Sequence, residues 1–119
     1  MQNEKLIILL ADDDVDDCIF FREALEELPV NASLTTVKDG VQLIHYLSKN
    51  PDPFPDVLYL DLNMPRKNGF ECLSEIKSND QLKHLPVIIF STSLDINVVD
   101  YCLKKAQFAI FENPVNFLD

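Results

Sequence analysis

Positive charge is scarce in this sequence: ten lysines and arginines face twenty aspartates and glutamates, for a net charge of −10 at neutral pH. So acidic a surface repels phosphate backbones and anionic lipid. Direct nucleic-acid binding and membrane attachment are therefore not expected, and divalent cations and basic protein surfaces fit better as partners. Cysteine is sparse as well. Cys18, Cys72 and Cys102 show no CxxC or other metal-ligand spacing, and their odd number argues against a disulfide framework, so reduced thiols in a cytoplasmic setting are the simplest expectation. Long apolar runs are missing. The apolar start, Leu6 to Ala11, is shorter than the core of a signal sequence and runs straight into aspartates, so neither a targeting segment nor a membrane span is expected.

What is present suffices for one domain over residues 1–119. The chain is 47% hydrophobic and 25% charged, the balance of a globular protein that buries a core without disulfide or metal support. Val57 to Leu60, with Pro55 before and Pro65 after, reads as a buried strand too short to be a core helix, and it ends on Asp61. Lys5 to Ala11 and Pro86 to Phe90 are further apolar runs of the kind found in parallel sheets covered on both faces. Ser33 to Val37 alternates and reads as an edge strand; Phe108 to Phe111 is a short last strand.

Helical spacing fills the intervals. Val15, Cys18/Ile19, Arg22, Leu25 and Leu28 lie on neighbouring turns before Pro29; Leu43/Ile44 and Leu47 follow an Asp39-Gly40 turn. Pro51, Pro53 and Pro55 stiffen the next loop, and Asn68-Gly69 opens a helix with Phe70, Leu73 and Ile76/Lys77 along one face. The span from Asp95 to Ala106 is helical, with Ile96, Val99 and Leu103 inward. Five strands alternating with four helices give, with right-handed crossovers, an α/β fold whose parallel sheet is wrapped on both faces. His45 and His84 have no partner ligands in pattern and read as surface residues.

The acids are unevenly placed. Asp12, Asp13, Asp14, Asp16 and Asp17 put five carboxylates in six positions. Asp14 suits an N-cap, and Asp16 and Asp17 suit the first helical turn, where the dipole favours negative charge. Asp12 and Asp13 remain: as a solvated acidic loop they need no function, but at the end of a buried strand they repel one another unless a cation lies between them. Asp12, Asp14, Asp16 and Glu23 also match the spacing of a calcium-binding EF-hand loop. That match fails, because Asp17 stands where glycine is needed and a strand, not a helix, precedes it. Asp61 taken alone is open to two readings, a cap on the following turn or a site residue, since ligand crevices of open α/β sheets lie at the carboxyl ends of strands. Asp12, Asp13, Asp61 and Ser91 would converge at that edge. Three carboxylates and a hydroxyl make a hard-oxygen site suited to Mg2+, beside which a carboxylate can attack phosphorus and form an acyl phosphate.

Asp12-Asp13, the segment Leu60-Asp61-Leu62-Asn63-Met64-Pro65 with Gly69, the Pro86-Val87 strand ending at Ser91, and Asn113-Pro114 occur in an order and spacing that resembles the receiver domains of two-component response regulators. The resemblance runs from Lys5 to the end. It implies a CheY-like, flavodoxin-like doubly wound sheet of five strands in the order 2-1-3-4-5 with helices on both faces. It further implies that Asp61 accepts a phosphoryl group from a sensor histidine kinase or phosphotransfer protein. Asp13 would bind Mg2+ directly and Asp12 largely through water, with Asp61 and the backbone carbonyl of Asn63 as further ligands. Ser91 would bond the phosphoryl group and draw the next loop inward, while Asn63 and Ser93 match positions that tune dephosphorylation. Such a protein is no enzyme beyond self-phosphorylation and slow autodephosphorylation.

The sequence departs from that family at several points. Asn113 replaces the lysine that pairs with a phosphoryl oxygen, and a neutral amide offers a hydrogen bond about half as strong without the charge; Lys67 is a candidate substitute. Thr92 stands where a small residue is usual, and Ile110, with Phe111 beside it, where a switch aromatic is expected. Val115 to Asp119 supplies only about one turn of a fifth helix, so that helix is expected to be truncated or missing. The face left bare would favour homodimers through the last helix and strand. Output would pass to a protein target, with the helix carrying Val98, Tyr101 and Cys102 as a contact surface or merely half-buried. Two rival readings are a phosphorylation-independent pseudo-receiver, supported by Asn113, and a magnesium-dependent phosphohydrolase, opposed by Asn63 where a second acid would be needed.

Overall fold

A computed structural model describes residues 5–90. The expected last helix and strand, the fifth-helix turn, and with them Ser91, Thr92, Ser93, Val98, Tyr101, Cys102, Ile110 and Asn113, lie outside the described residues. Within them the chain runs β1 (Leu6–Ala11), α1 (Val15–Glu27), β2 (Ala32–Val37), α2 (Gly40–Ser48), β3 (Val57–Asp61), α3 (Gly69–Lys77) and β4 (Val87–Phe90). The four strands form one sheet in the order β2-β1-β3-β4 with every pairing parallel, as the α/β reading requires. β2 is the edge strand expected of its alternating sequence.

Strand alternation sorts the core into two layers. Ile8, Leu10, Val57, Tyr59, Ile88 and Phe90 face α1, whereas Leu9, Ala11, Leu58, Leu60 and Val87 face α2 and α3. The expectation that a truncated or missing fifth helix leaves one face of the sheet partly bare turns on residues outside those described. Register at the entry of β3 is fixed by Asp56, which exchanges bonds with Ile7: its carboxylate accepts from Ile7 N–H and its N–H donates to Ile7 O, both at 2.8 Å.

Helix caps follow the sequence closely, and helix faces less so. Asp14 caps α1 by accepting from Asp16 N–H at 2.9 Å and Asp17 N–H at 3.3 Å. Asn68 and Glu71 close a reciprocal capping box on α3. The buried stripe of α1, however, is Phe21, Ala24 and Leu25 with Cys18 and Leu28 beside it, while Val15 and Ile19 are 53% and 49% exposed. The ring of Phe21 packs 5.1 Å from that of Tyr59 and turns the helix toward itself. On α3, Cys72, Leu73 and Ile76 are buried, and Phe70 is 64% exposed rather than sharing their face. His45 and His84 are exposed, as expected.

Candidate functional site

β1 and β3 are adjacent and parallel, so their carboxyl ends deliver Asp12 and Asp61 side by side. Asp12, Asp13 and Asp61 each bring a carboxylate oxygen to within 4.8 Å of the other two. Asp12 and Asp61 are buried and Asp13 is exposed, so the cluster opens to solvent on one side. Oδ1 of Asp12 accepts from Asp14 N–H at 2.9 Å, but Oδ2 is buried with no hydrogen-bond partner among the described residues. Burial pushes the Asp12 carboxyl up to about 7; the Asp61 and Asp17 carboxylates add to the rise, and the Asp14 N–H opposes it. An acid placed there without a counter-charge is disfavoured, and a hard divalent cation supplies one. The donor set fits: three carboxylates, one with an orphaned oxygen.

Of the two readings the sequence left open for Asp61, the structure shows the turn cap, and it also places the carboxylate in the acidic cluster. Its Oδ1 accepts from Asn63 N–H at 3.0 Å, the turn-capping bond, and this fixes the carboxylate's rotation beside Asp12. The adjoining ladder is continuous: Leu62 N–H donates to Phe90 O and Asp12 N–H to Val37 O, both at 3.0 Å. Cys18 donates its thiol to the Asp12 carbonyl at 3.6 Å, and burial together with the surrounding aspartates pushes that thiol up to about 11. Cys18 and Cys72 are free thiols.

The loop after Asp61 packs against α2 and α3. Gly69 N–H donates to Leu62 O at 3.1 Å, and a Cβ on Gly69 would lie 2.7 Å from both the Asp61 carbonyl oxygen and Leu62 Cα, so the family-motif glycine is required by close approach. Lys67, the candidate stand-in for a phosphoryl-binding lysine, is ion-paired with Glu75 of α3. The sequence reading treated Asp39 only as part of a turn. The structure makes it the N-cap of α2, accepting from Gln42 N–H at 2.8 Å, and places its other oxygen 3.5 Å from Arg66. The cap was recoverable from an Asp preceding a helical pattern; a pair bridging residues 39 and 66 leaves no local trace.

A parallel sheet with helices on both faces and an acidic cluster at its carboxyl edge defines the class of doubly wound α/β domains, whose ligand crevices lie at that edge. Residues 8–117 match the response regulator receiver domain family, and the chain belongs to that family, within two-component signalling. Response regulator Rcp1 of Synechocystis is 35% identical over 95 residues, covering 76% of this chain and 65% of Rcp1, so the chain spans just under two thirds of that relative. A probable methanogenesis regulatory protein, FilR2 of Methanothrix harundinacea, is 30% identical, with 98% of this chain and 77% of FilR2 covered. Among solved structures, the Mn2+-bound form of Rcp1 superposes with a TM-score of 0.67 at 33% identity, over 82% of this chain and 75% of that one. The phosphorylated cyanobacterial phytochrome response regulator RcpA gives 0.75 at 27%, over 94% and 98%. No described helix is long and apolar enough to cross a membrane.

Proposed function

We propose that this chain is a single receiver domain that accepts a phosphoryl group on Asp61 in a Mg2+-dependent reaction and signals to a protein partner. The buried Asp12 carboxylate, which brings an oxygen within 4.8 Å of Asp13 and Asp61 carboxylate oxygens and has its Oδ2 without a hydrogen-bond partner among the described residues, carries the reading. Rcp1 in an Mn2+-bound form and RcpA in a phosphorylated form support it. Asp12, Asp13, Asp61 and the Asn63 carbonyl would hold the ion. When bound, Mg2+ neutralises charge on the transferring oxygens. The protein's own part is placement: the Asn63 N–H orients the Asp61 carboxylate, whose oxygen forms the new bond to phosphorus as the phosphorus–nitrogen bond of a phosphohistidine donor breaks and leaves its electron pair on the imidazole. Ser91 and Asn113 would bond the phosphoryl oxygens, and Thr92, Ser93 and Ile110 would set access and switching. The donor is a sensor histidine kinase or phosphotransfer protein in the cytoplasm, output passes by protein contact, and turnover is limited to slow autodephosphorylation.

Intact mass after incubation with phosphoramidate and Mg2+, quenched in acid, tests this. A gain of one phosphoryl group, lost in Asp61→Asn and on chelation, is the expected outcome. No gain in wild type but a gain in Asn113→Lys would make the natural protein a phosphorylation-independent binding module, and turnover of a generic phosphate ester would favour the hydrolase.

A further inference from the structure

Just beyond the candidate site the backbone turns about Arg66, whose φ of 69° lies in the left-handed region that disfavours residues with a Cβ. Lys67 N–H donates to Pro65 O at 2.7 Å across it, closing a three-residue turn of the rare, strained kind. Contacts from outside must hold such a turn, and the N-terminus of α2 supplies them. The Arg66 guanidinium lies 3.5 Å from the Asp39 carboxylate. Gly40 approaches so closely that a Cβ there would lie 2.1 Å from the Lys67 carbonyl oxygen. Cys72 joins the same junction, its thiol donating to Gly40 O at 3.6 Å. Asp39 is buried and already tied to Gln42 N–H, so its position does not depend on Arg66.

We propose that the Asp39–Arg66 pair is a positioning device for divalent-cation binding. It anchors the loop of residues 62–68 to α2 and thereby sets the place of Asn63, whose carbonyl would be one of the ion's ligands. The inference rests on the metal site proposed above. Arg66 contributes geometry there, although its charge opposes a cation.

Those two effects have opposite signs, which makes the proposal testable. If charge alone mattered, removing Arg66 would tighten cation binding; if position matters, removing it loosens binding. Asp39→Asn retains the helix cap, because Asn caps as well as Asp, and loses only the ionic partner. The experiment is an Mn2+ titration of the whole chain, read by the free-ion electron paramagnetic resonance signal, on wild type, Arg66→Ala, Arg66→Gly, Asp39→Asn and the Arg66→Ala/Asp39→Asn double variant. Arg66→Gly adopts the same φ without strain, so it keeps the fold and loses only the anchor. Each single variant is expected to bind about two- to fivefold more weakly, the double variant no more weakly than either single one, and the gap from wild type should close in ~1 M salt. Arg66 variants that bind as tightly as wild type, or more tightly, would overturn the proposal while the metal site stands. A wild type that takes up no Mn2+ would overturn the metal site itself and this inference with it.

Discussion

A carboxylate shut away from water opposes folding whenever it is charged, and Asp12, whose Oδ2 has no hydrogen-bond partner among the described residues, is such a group. Its folded-state value of about 7 stands above the ordinary 3.8, so the folded chain holds a proton that the unfolded chain releases. The sign follows. Below about 4 both states are protonated and the group costs nothing; as pH rises toward 7 stability falls, by on the order of 4 kcal/mol, and above 7 the loss is complete. Urea unfolding of the metal-free protein at pH 5 and 7.5 is expected to show that decline, and Mg2+ should offset it at the higher pH. Asp12→Asn removes the titration, so it should flatten the metal-free profile and leave the protein responding to Mg2+ no more than to NaCl of equal ionic strength. A decline of equal size in Asp12→Asn would assign it to other acids.

At the scale of elements, the tight places are helix starts. An alanine at position 40 gains at most ~1 kcal/mol of helix preference and meets backbone it cannot displace, so Gly40→Ala is expected to destabilise by about 1–3 kcal/mol. The buried stripe of α1 invites a paired test: Phe21→Ala should cost about 3–5 kcal/mol and Ile19→Ala under about 0.5, and the reverse order would restore the stripe read from sequence. That misreading shows what was legible. Strands, caps and the acids at strand ends were visible because each depends on neighbours in sequence: Asp14 before Val15, Asp61 after Leu60. Which of two adjoining apolar stripes on α1 turns inward depends on Tyr59, thirty-eight residues beyond Phe21, and spacing alone cannot rank Ile19 against Phe21. The Asp39–Arg66 pair was hidden for the same reason.

For the molecule as a whole, two apolar layers share one sheet, and the acids sit where β1 and β3 leave it, so a ligand bridging Asp12 and Asp61 ties together segments far apart in sequence. An ion that binds only this folded arrangement must stabilise the entire domain by mass action, by about 2.7 kcal/mol at a hundred times its dissociation constant. For a chain of this length that corresponds to a rise in Tm of about 10 °C. A net charge of −10 complicates the comparison, because any salt relieves self-repulsion among exposed acids. The two contributions separate by concentration and by variant. Screening depends on ionic strength and acts equally on Asp61→Asn, whereas site binding saturates and disappears in that variant. Thermal unfolding in MgCl2 is therefore expected to exceed that in NaCl of equal ionic strength in wild type and to match it in Asp61→Asn. Equal curves for the wild type in the two salts would show that the acidic cluster is no cation site.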